Sequence, residues 1–230
     1  MVYTSRKSTP IPLLEAAKAQ PLLARLQPPP QALAFACNRD GCAPAPDAPA
    51  GASAPTGAPA PFTAGEIDLT GDGQPETIFL SGGRVEIWQF GELAWSSPPE
   101  WQAFDLALGD PNDDGRYELL LSLRKPDPTG VSRSHPFVVG FRRGMFKLLW
   151  GGSALSTPIG EVELGDVDGD GSQELVVLEE LLGGARALSV WRWHGWGFTL
   201  AWRSQPGQYQ DLSLVQSPTR DITITVNIEN

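Results

Sequence analysis

The chain has 230 residues and a formal net charge of −10, from 27 acidic against 17 basic side chains. Hydrophobic residues make up 41%, enough for a core, while 25 glycines and 22 prolines make the chain rich in turn formers. The absence of a basic patch argues against nucleic acid as a partner, and no apolar run of about 18 residues offers a membrane-spanning helix.

In chain order, residues 12–27 predict a short helix with Leu13, Leu14, Leu22, Leu23 and Leu26 as its apolar positions, interrupted by Pro21. Glu15, Lys18 and Arg25 break the apolar patches there, so the segment is a poor signal peptide. Cys37 and Cys42 frame the turn-like Asn-Arg-Asp-Gly of "CNRDGC". They suit a small disulfide loop in an oxidising compartment, and two idle cytosolic thiols are the alternative. Residues 43–61, "APAPDAPAGASAPTGAPAP", are a Pro/Ala/Gly linker that cannot build a core. The expected organisation is therefore a weakly structured segment 1–42, the linker 43–61, and a folded domain 62–230.

Within 62–216 the chain repeats itself. Each unit reads as an opening strand, an acidic loop, a second strand, a third strand, and a fourth strand ending in tryptophan. The loops lead into "ETIFL" (76–80), "YELLLSL" (117–123) and "QELVVLE" (173–179); Trp95, Trp150 and Trp202 fall at equivalent places. Asp68 and Asp110 are 42 residues apart, Asp110 and Asp166 are 56, and the excess is assigned to a loop "RKPDPTGVSRSH" (124–135). Four short strands per unit of this length is the arithmetic of a β-propeller blade; a β-sandwich is the rival, disfavoured because the same loop recurs at the same phase. Three units do not close a ring. "YQDLSLV" (209–215) and "DITITVNI" (221–228) read as the start of a fourth unit, whose outer strands must come from "ALAFAC" (32–37), from another chain, or be missing. Left as an edge, "ITITVNI" invites strand-mediated self-association.

The acidic loops carry the chemistry. Numbered from the first Asp, positions 1, 3, 5 and 9 hold Asp68, Thr70, Asp72 and Glu76; then Asp110, Asn112, Asp114 and Glu118; then Asp166, Asp168, Asp170 and Glu174. Position 6 is Gly73, Gly115 or Gly171. Calcium takes six to eight oxygens, more than one side chain supplies, and a loop wrapped round the ion points alternate side chains inward. The position-6 glycine permits the sharp turn, presenting the backbone carbonyl of Gln74, Arg116 or Ser172 at position 7. An all-oxygen set disfavours zinc and copper, and magnesium demands a stricter octahedron, so up to three calcium ions are expected. An EF-hand would need glutamate at position 12, where Phe79, Leu121 and Val177 stand, and flanking helices. A plain hairpin turn explains one such loop but not three in register. By carboxylate count, affinity is expected to fall from the third loop to the second to the first.

With these loops and the strands around them, the chain resembles the FG-GAP and VCBS repeats related to the integrin α-chain β-propeller, closest at "LGDVDGDGSQELVVLE". The resemblance spans about 62–216 and implies the propeller fold and the calcium loop. The Phe-Gly and Gly-Ala-Pro cassettes of that family are missing from their places, so adhesion is not carried over. "HPFVVGFRRGMFKLLWGGSA" is similar to repeats appended to bacterial capsule-synthesis or cell-surface proteins.

No nucleophile motif or phosphate loop accompanies His135 or His194. Of the aromatic patch "WRWHGWGF" (191–198), Trp191 and Trp193 are expected in the core and Trp196 at an exposed hairpin tip. The expected function is a non-catalytic, calcium-binding surface or secreted module that acts as a binding scaffold for a protein or glycan. It is placed outside the cytoplasm, where free calcium suits weak sites. The alternatives are an accessory domain of a surface enzyme, or a lectin-like module using Trp196.

Overall fold

A strand that reads "LLLSL" or "LVVLE" has apolar side chains on both pleat faces, so it needs a layer on each side. The computed structural model supplies those layers. It describes residues 31–45, 62–126, 130, 132–152, 155, 157–216 and 222–228; the helix expected at 12–27 and most of the linker lie outside them.

Among the described residues, sixteen strands form four antiparallel four-stranded sheets, none closed into a barrel. The first sheet is a meander of β3 (Phe62–Ile67), β4 (Glu76–Ser81), β5 (Arg84–Gln89) and β6 (Glu92–Ser96). The second is β7 (Gln102–Gly109), β8 (Glu118–Pro126), β9 (Ser132–Arg142) and β10 (Met145–Gly151), and the third is β11 (Ile159–Gly165), β12 (Glu174–Glu180), β13 (Arg186–Trp193) and β14 (Phe198–Arg203). One 3-10 turn at Leu182–Gly184 is the only helical element among the described residues.

The fourth sheet joins the two ends of the chain. Its order is β15 (Tyr209–Gln216), β16 (Ile222–Ile228), β1 (Gln31–Asn38), β2 (Gly41–Pro44). Strand β1 pairs with β16 from Gln31↔Ile228 to Ala36↔Thr223. Residues 31–44, read from sequence as part weak segment and part linker, thus supply the strands that the last repeat lacks. The strand "ITITVNI" is consequently not an edge: β15 flanks it on one side and β1 on the other, so its backbone groups are already paired. The turn between β1 and β2 is tied by a Cys37–Cys42 disulfide, the two residues standing directly opposite.

Residues 124–135 also depart from the expected loop. Most of this stretch is not loop but a lengthened hairpin, with Arg124↔Ser134, Lys125↔Arg133 and Pro126↔Ser132 paired. Consecutive antiparallel strands extend as long as both backbones stay in register, and the exposed Arg124, Lys125 and Arg133 do not prevent it.

Burial explains the apolar runs. Leu119, Leu121 and Leu123 of β8 pack with Leu69, Ile78, Val85 and Ile87 of the first repeat, while Leu120 turns the other way to Val162, Leu175, Val177 and Trp191. Val176 and Leu178 of β12 meet Phe35, Leu212, Ile224 and Val226 of the fourth sheet. The sheets therefore share one core between first and second, one between second and third, and one between third and fourth. Each fully buried leucine contributes about 1.5–3 kcal/mol, so the two middle sheets carry most of the stabilisation. The three tryptophans are in register too: Trp95 opposes Ile87, Trp150 opposes Val138, and Trp202 opposes Val190.

Side-chain carboxylates stitch the opening strands together. Asp105 of β7 accepts a hydrogen bond from the Val162 amide (2.7 Å), and Glu161 of β11 accepts one from the Leu212 amide of β15 (2.8 Å). Both acids sit beside a β-bulge, where the register shift turns an inward side chain toward the neighbouring sheet.

Candidate metal sites

Each acidic loop connects the first strand of a sheet to its second, with strands on both sides rather than helices. The position-6 glycines have left-handed φ of +85° (Gly73), +81° (Gly115) and +97° (Gly171), as the sharp turn requires. Position 4 is left-handed as well. It is glycine in two loops but Asp113 (φ +56°) in the second, which sequence reading missed.

The position-1 carboxylate organises the turn. In every loop the position-6 amide donates to it: Gly73 to Asp68 at 2.8 Å, Gly115 to Asp110 at 2.7 Å, Gly171 to Asp166 at 3.0 Å. At position 5, the Asp72 and Asp170 carboxylates accept from the position-7 amides of Gln74 (2.8 Å) and Ser172 (2.9 Å). The side chains of Gln74 and Arg116 are exposed, and Ser172 Oγ donates to Asp113 across to the second loop. The second and third loops are further joined by Gln173 Oε1, which accepts the Asp110 amide at 2.8 Å.

Position 9 is where the loops meet the core. Glu76 and Glu118 are fully buried and Glu174 is 1% exposed. In the first and third loops the position-2 amide donates to this glutamate, Leu69 to Glu76 Oε2 at 2.7 Å and Val167 to Glu174 Oε2 at 3.1 Å. In the second loop position 2 is Pro111, which has no N–H to give. Glu118 Oε2 is accordingly buried without a hydrogen-bond partner, and so is Asp166 Oδ1 in the third loop. A buried, unpaired carboxylate oxygen carries a desolvation cost that a cation or a proton must offset. Burial pushes the Glu118 carboxyl up to about 7 against the pull of its Arg142 hydrogen bond, with repulsion from Asp114 and Asp110 adding to it. Glu174 also rises to about 7, chiefly by burial and then by repulsion from Asp168.

Carboxylate oxygens converge in two of the three loops. Asp110, Asp114 and Glu118 bring one oxygen each within 4.8 Å of one another, and Asp166, Asp168 and Glu174 do the same. Asp170 lies outside the second of these groups. The first loop does not converge in this way: Thr70 donates to Glu76 through both its amide (3.3 Å) and its hydroxyl (3.2 Å), and Gln89 donates to Asp72 at 3.1 Å. Neutral donors there satisfy the acids one by one.

Two residues that sequence reading missed enter the converged groups. Arg142, at the end of β9, donates to Asp114 and to Glu118 Oε1 (2.6 Å). Arg192 of β13 pairs with Asp168, and its Nε stands 3.6 Å from Glu174 Oε1. Gly140 makes room for the buried glutamate, because a Cβ at that position would stand 2.6 Å from Glu118 Cγ. A cleft of about 540 Å³ runs between the second and third loops, lined by Asn112, Asp113, Asp170, Arg192, Trp193 and His194. Beyond its rim, Trp196 is 80% exposed at the β13–β14 tip, while Trp191 is buried and Trp193 stacks edge-on with Trp150 and Phe198. His135 is engaged with the Gly152 carbonyl oxygen (3.1 Å).

Among the described residues no helix is long and apolar enough to cross a membrane. The chain matches no known family model, and no curated protein matches it.

Proposed function

We propose that the chain is a non-catalytic, calcium-stabilised binding or scaffold module of FG-GAP/VCBS type, built as a propeller-like array of four blades and working outside the cytoplasm. The observation that carries this reading is the convergence of three carboxylates in each of the second and third loops, with buried oxygens left over on Glu118 and Asp166. Only hard oxygen donors meet there, which suits calcium over softer-ligand metals. Two ions per chain follow, one held by Asp110, Asp114 and Glu118 and one by Asp166, Asp168 and Glu174, with Asn112 beside the former. The repetition of the loop at the same point of each four-stranded meander supports the propeller, as does a last sheet completed by the opposite end of the chain. The Cys37–Cys42 disulfide favours an oxidising compartment.

Ion binding to the folded state alone raises stability by linkage. Thermal melting in calcium, in magnesium and in chelator tests the reading. A melting temperature raised by millimolar calcium and not by magnesium is the expected result; identical curves in all three would sink it.

A glycan ligand is a second reading, favoured by one observation: Trp196 is exposed beside a polar cleft. Aromatic faces of this kind stack on sugar rings, and Trp196→Ala abolishing glycan binding is the matching test.

A further inference from the structure

The same arrangement recurs in the two loops whose acids converge. A guanidinium from the third strand of the sheet reaches back over the loop and bridges one inner acid to the position-9 glutamate: Arg142 across Asp114 and Glu118, Arg192 across Asp168 and Glu174. In each case two of the three converged carboxylates are engaged. Where the acids do not converge, the residue from the third strand is the neutral Gln89, and it touches Asp72 alone. Arginine is thus found with the clustered acids and glutamine with the dispersed ones.

A guanidinium is an incomplete occupant of such a site. Its planar fork aims donors in one plane, whereas a divalent ion gathers oxygens from all around it. The oxygens left without a partner, Glu118 Oε2 and Asp166 Oδ1, belong to the same two clusters. Arg192 Nε is likewise buried with no acceptor in hydrogen-bond range. The arginine side chains are 19% and 28% exposed; beside the acids, Arg142 donates to the Phe141 carbonyl oxygen (2.9 Å) and Arg192 to that of Arg39 (3.3 Å), and Arg192 borders the cleft lined by Asp113 and Asp170, which offers other carboxylates nearby.

We infer that Arg142 and Arg192 are tethered cations that share these carboxylates with the divalent ion, so that calcium enters each loop as the guanidinium leaves it. The inference rests on the calcium reading above and adds to it the residues that set affinity. Two consequences follow. The metal-free protein keeps these two loops folded because Glu118 and Glu174 each retain a positive neighbour. Calcium loading also transfers two guanidinium groups from the clusters to the loop surface, so the surface around these loops becomes more basic when the metal is present. A site whose open form is populated one-tenth of the time binds about tenfold more weakly than the open form itself, and a neutral replacement removes that handicap.

The test is calcium titration calorimetry on the full chain and on Arg142→Gln, Arg192→Gln and the double variant, beside melting curves in chelator. Tethered cations give about tenfold tighter calcium binding for the site of each substituted arginine, together with a lower melting temperature in chelator that calcium restores. Equal or weaker calcium affinity in the variants overturns the inference while leaving the calcium reading standing. No binding heat in wild type or in any variant overturns both. Should a variant fail to fold, the wild-type chain gives the answer by NMR of its arginine Nε–H groups. Two arginine signals must move toward the free position as calcium saturates, and signals that stay fixed during proven binding overturn the inference.

Discussion

Pro111→Ala makes the second loop like the other two. Leu69 and Val167, the residues at position 2 elsewhere, each donate an amide to the buried glutamate of their own loop, at 2.7 and 3.1 Å. Alanine at position 111 restores that N–H beneath Glu118 Oε2, an oxygen that has no partner. A hydrogen bond to a charged group is worth about 1.5–3 kcal/mol. Against it stand about 0.4–1 kcal/mol from the greater freedom of the unfolded chain and a share of the packing lost when a buried proline is trimmed. The net is about 1 kcal/mol of stabilisation, or roughly 2–4 °C for a domain of this size. The assay is differential scanning calorimetry in chelator, with Val167→Pro as the mirror image. Pro111→Ala is expected to melt higher than wild type and Val167→Pro to melt lower by more. A Pro111→Ala protein that melts below wild type in chelator refutes the assignment of the orphan oxygen to the missing amide.

Other expectations follow from the sheets and their stitches. Burial, with repulsion from Asp105 and Glu161, holds the Glu163 carboxyl up at about 7, and Asp105 is raised to about 6 by burial. Acids raised above their unfolded values favour folding while protonated, so this contribution is present at about pH 4 and lost as pH rises through 6 and 7. Glu163→Gln therefore stabilises at pH 8 by about 1–3 kcal/mol and has little effect at pH 4, as urea unfolding at the two values will show. Reducing Cys37–Cys42 opens a short loop and costs about 2 kcal/mol, read as a lower melting temperature in reductant. A chain beginning at residue 46 lacks β1 and β2, bares the edge of β16 and uncovers Ile224 and Val226; size-exclusion chromatography should find it self-associated.

The repeat was legible because each level of the sequence agrees with the next. Loop spacing, the position-6 glycines, the doubly apolar second strands and the fourth-strand tryptophans all mark one unit, and the strands fall where they mark them. The N-terminal hairpin was legible only as one of several sources for the missing strands. "QALAFACN" carries a pairing pattern, but nothing local says that its partner lies some 190 residues away. The long β8–β9 hairpin was misread as loop because Pro126, Pro128 and Gly130 are turn formers, yet Arg124, Lys125 and Pro126 pair in register with Ser134, Arg133 and Ser132.

At the site, ligand spacing alone treats the three loops as alike. One difference stands in the ligand set itself, at Thr70 of position 3, which donates to Glu76; the others lie in residues that spacing ignores, Gln89, which donates to Asp72, and Arg142 and Arg192, which come from another strand. Gly140 and Pro111 had no visible meaning in the sequence. One leaves room for the buried Glu118 side chain, and the other withholds an amide.

Counting the ions that stay with the folded chain is the most direct measurement. Equilibrium dialysis against millimolar calcium, followed by metal analysis, should find two per chain, falling to one with Glu118→Gln or with Glu174→Gln. A chain that retains no calcium, or the same amount after both glutamates are replaced, contradicts the assignment of these loops as calcium sites.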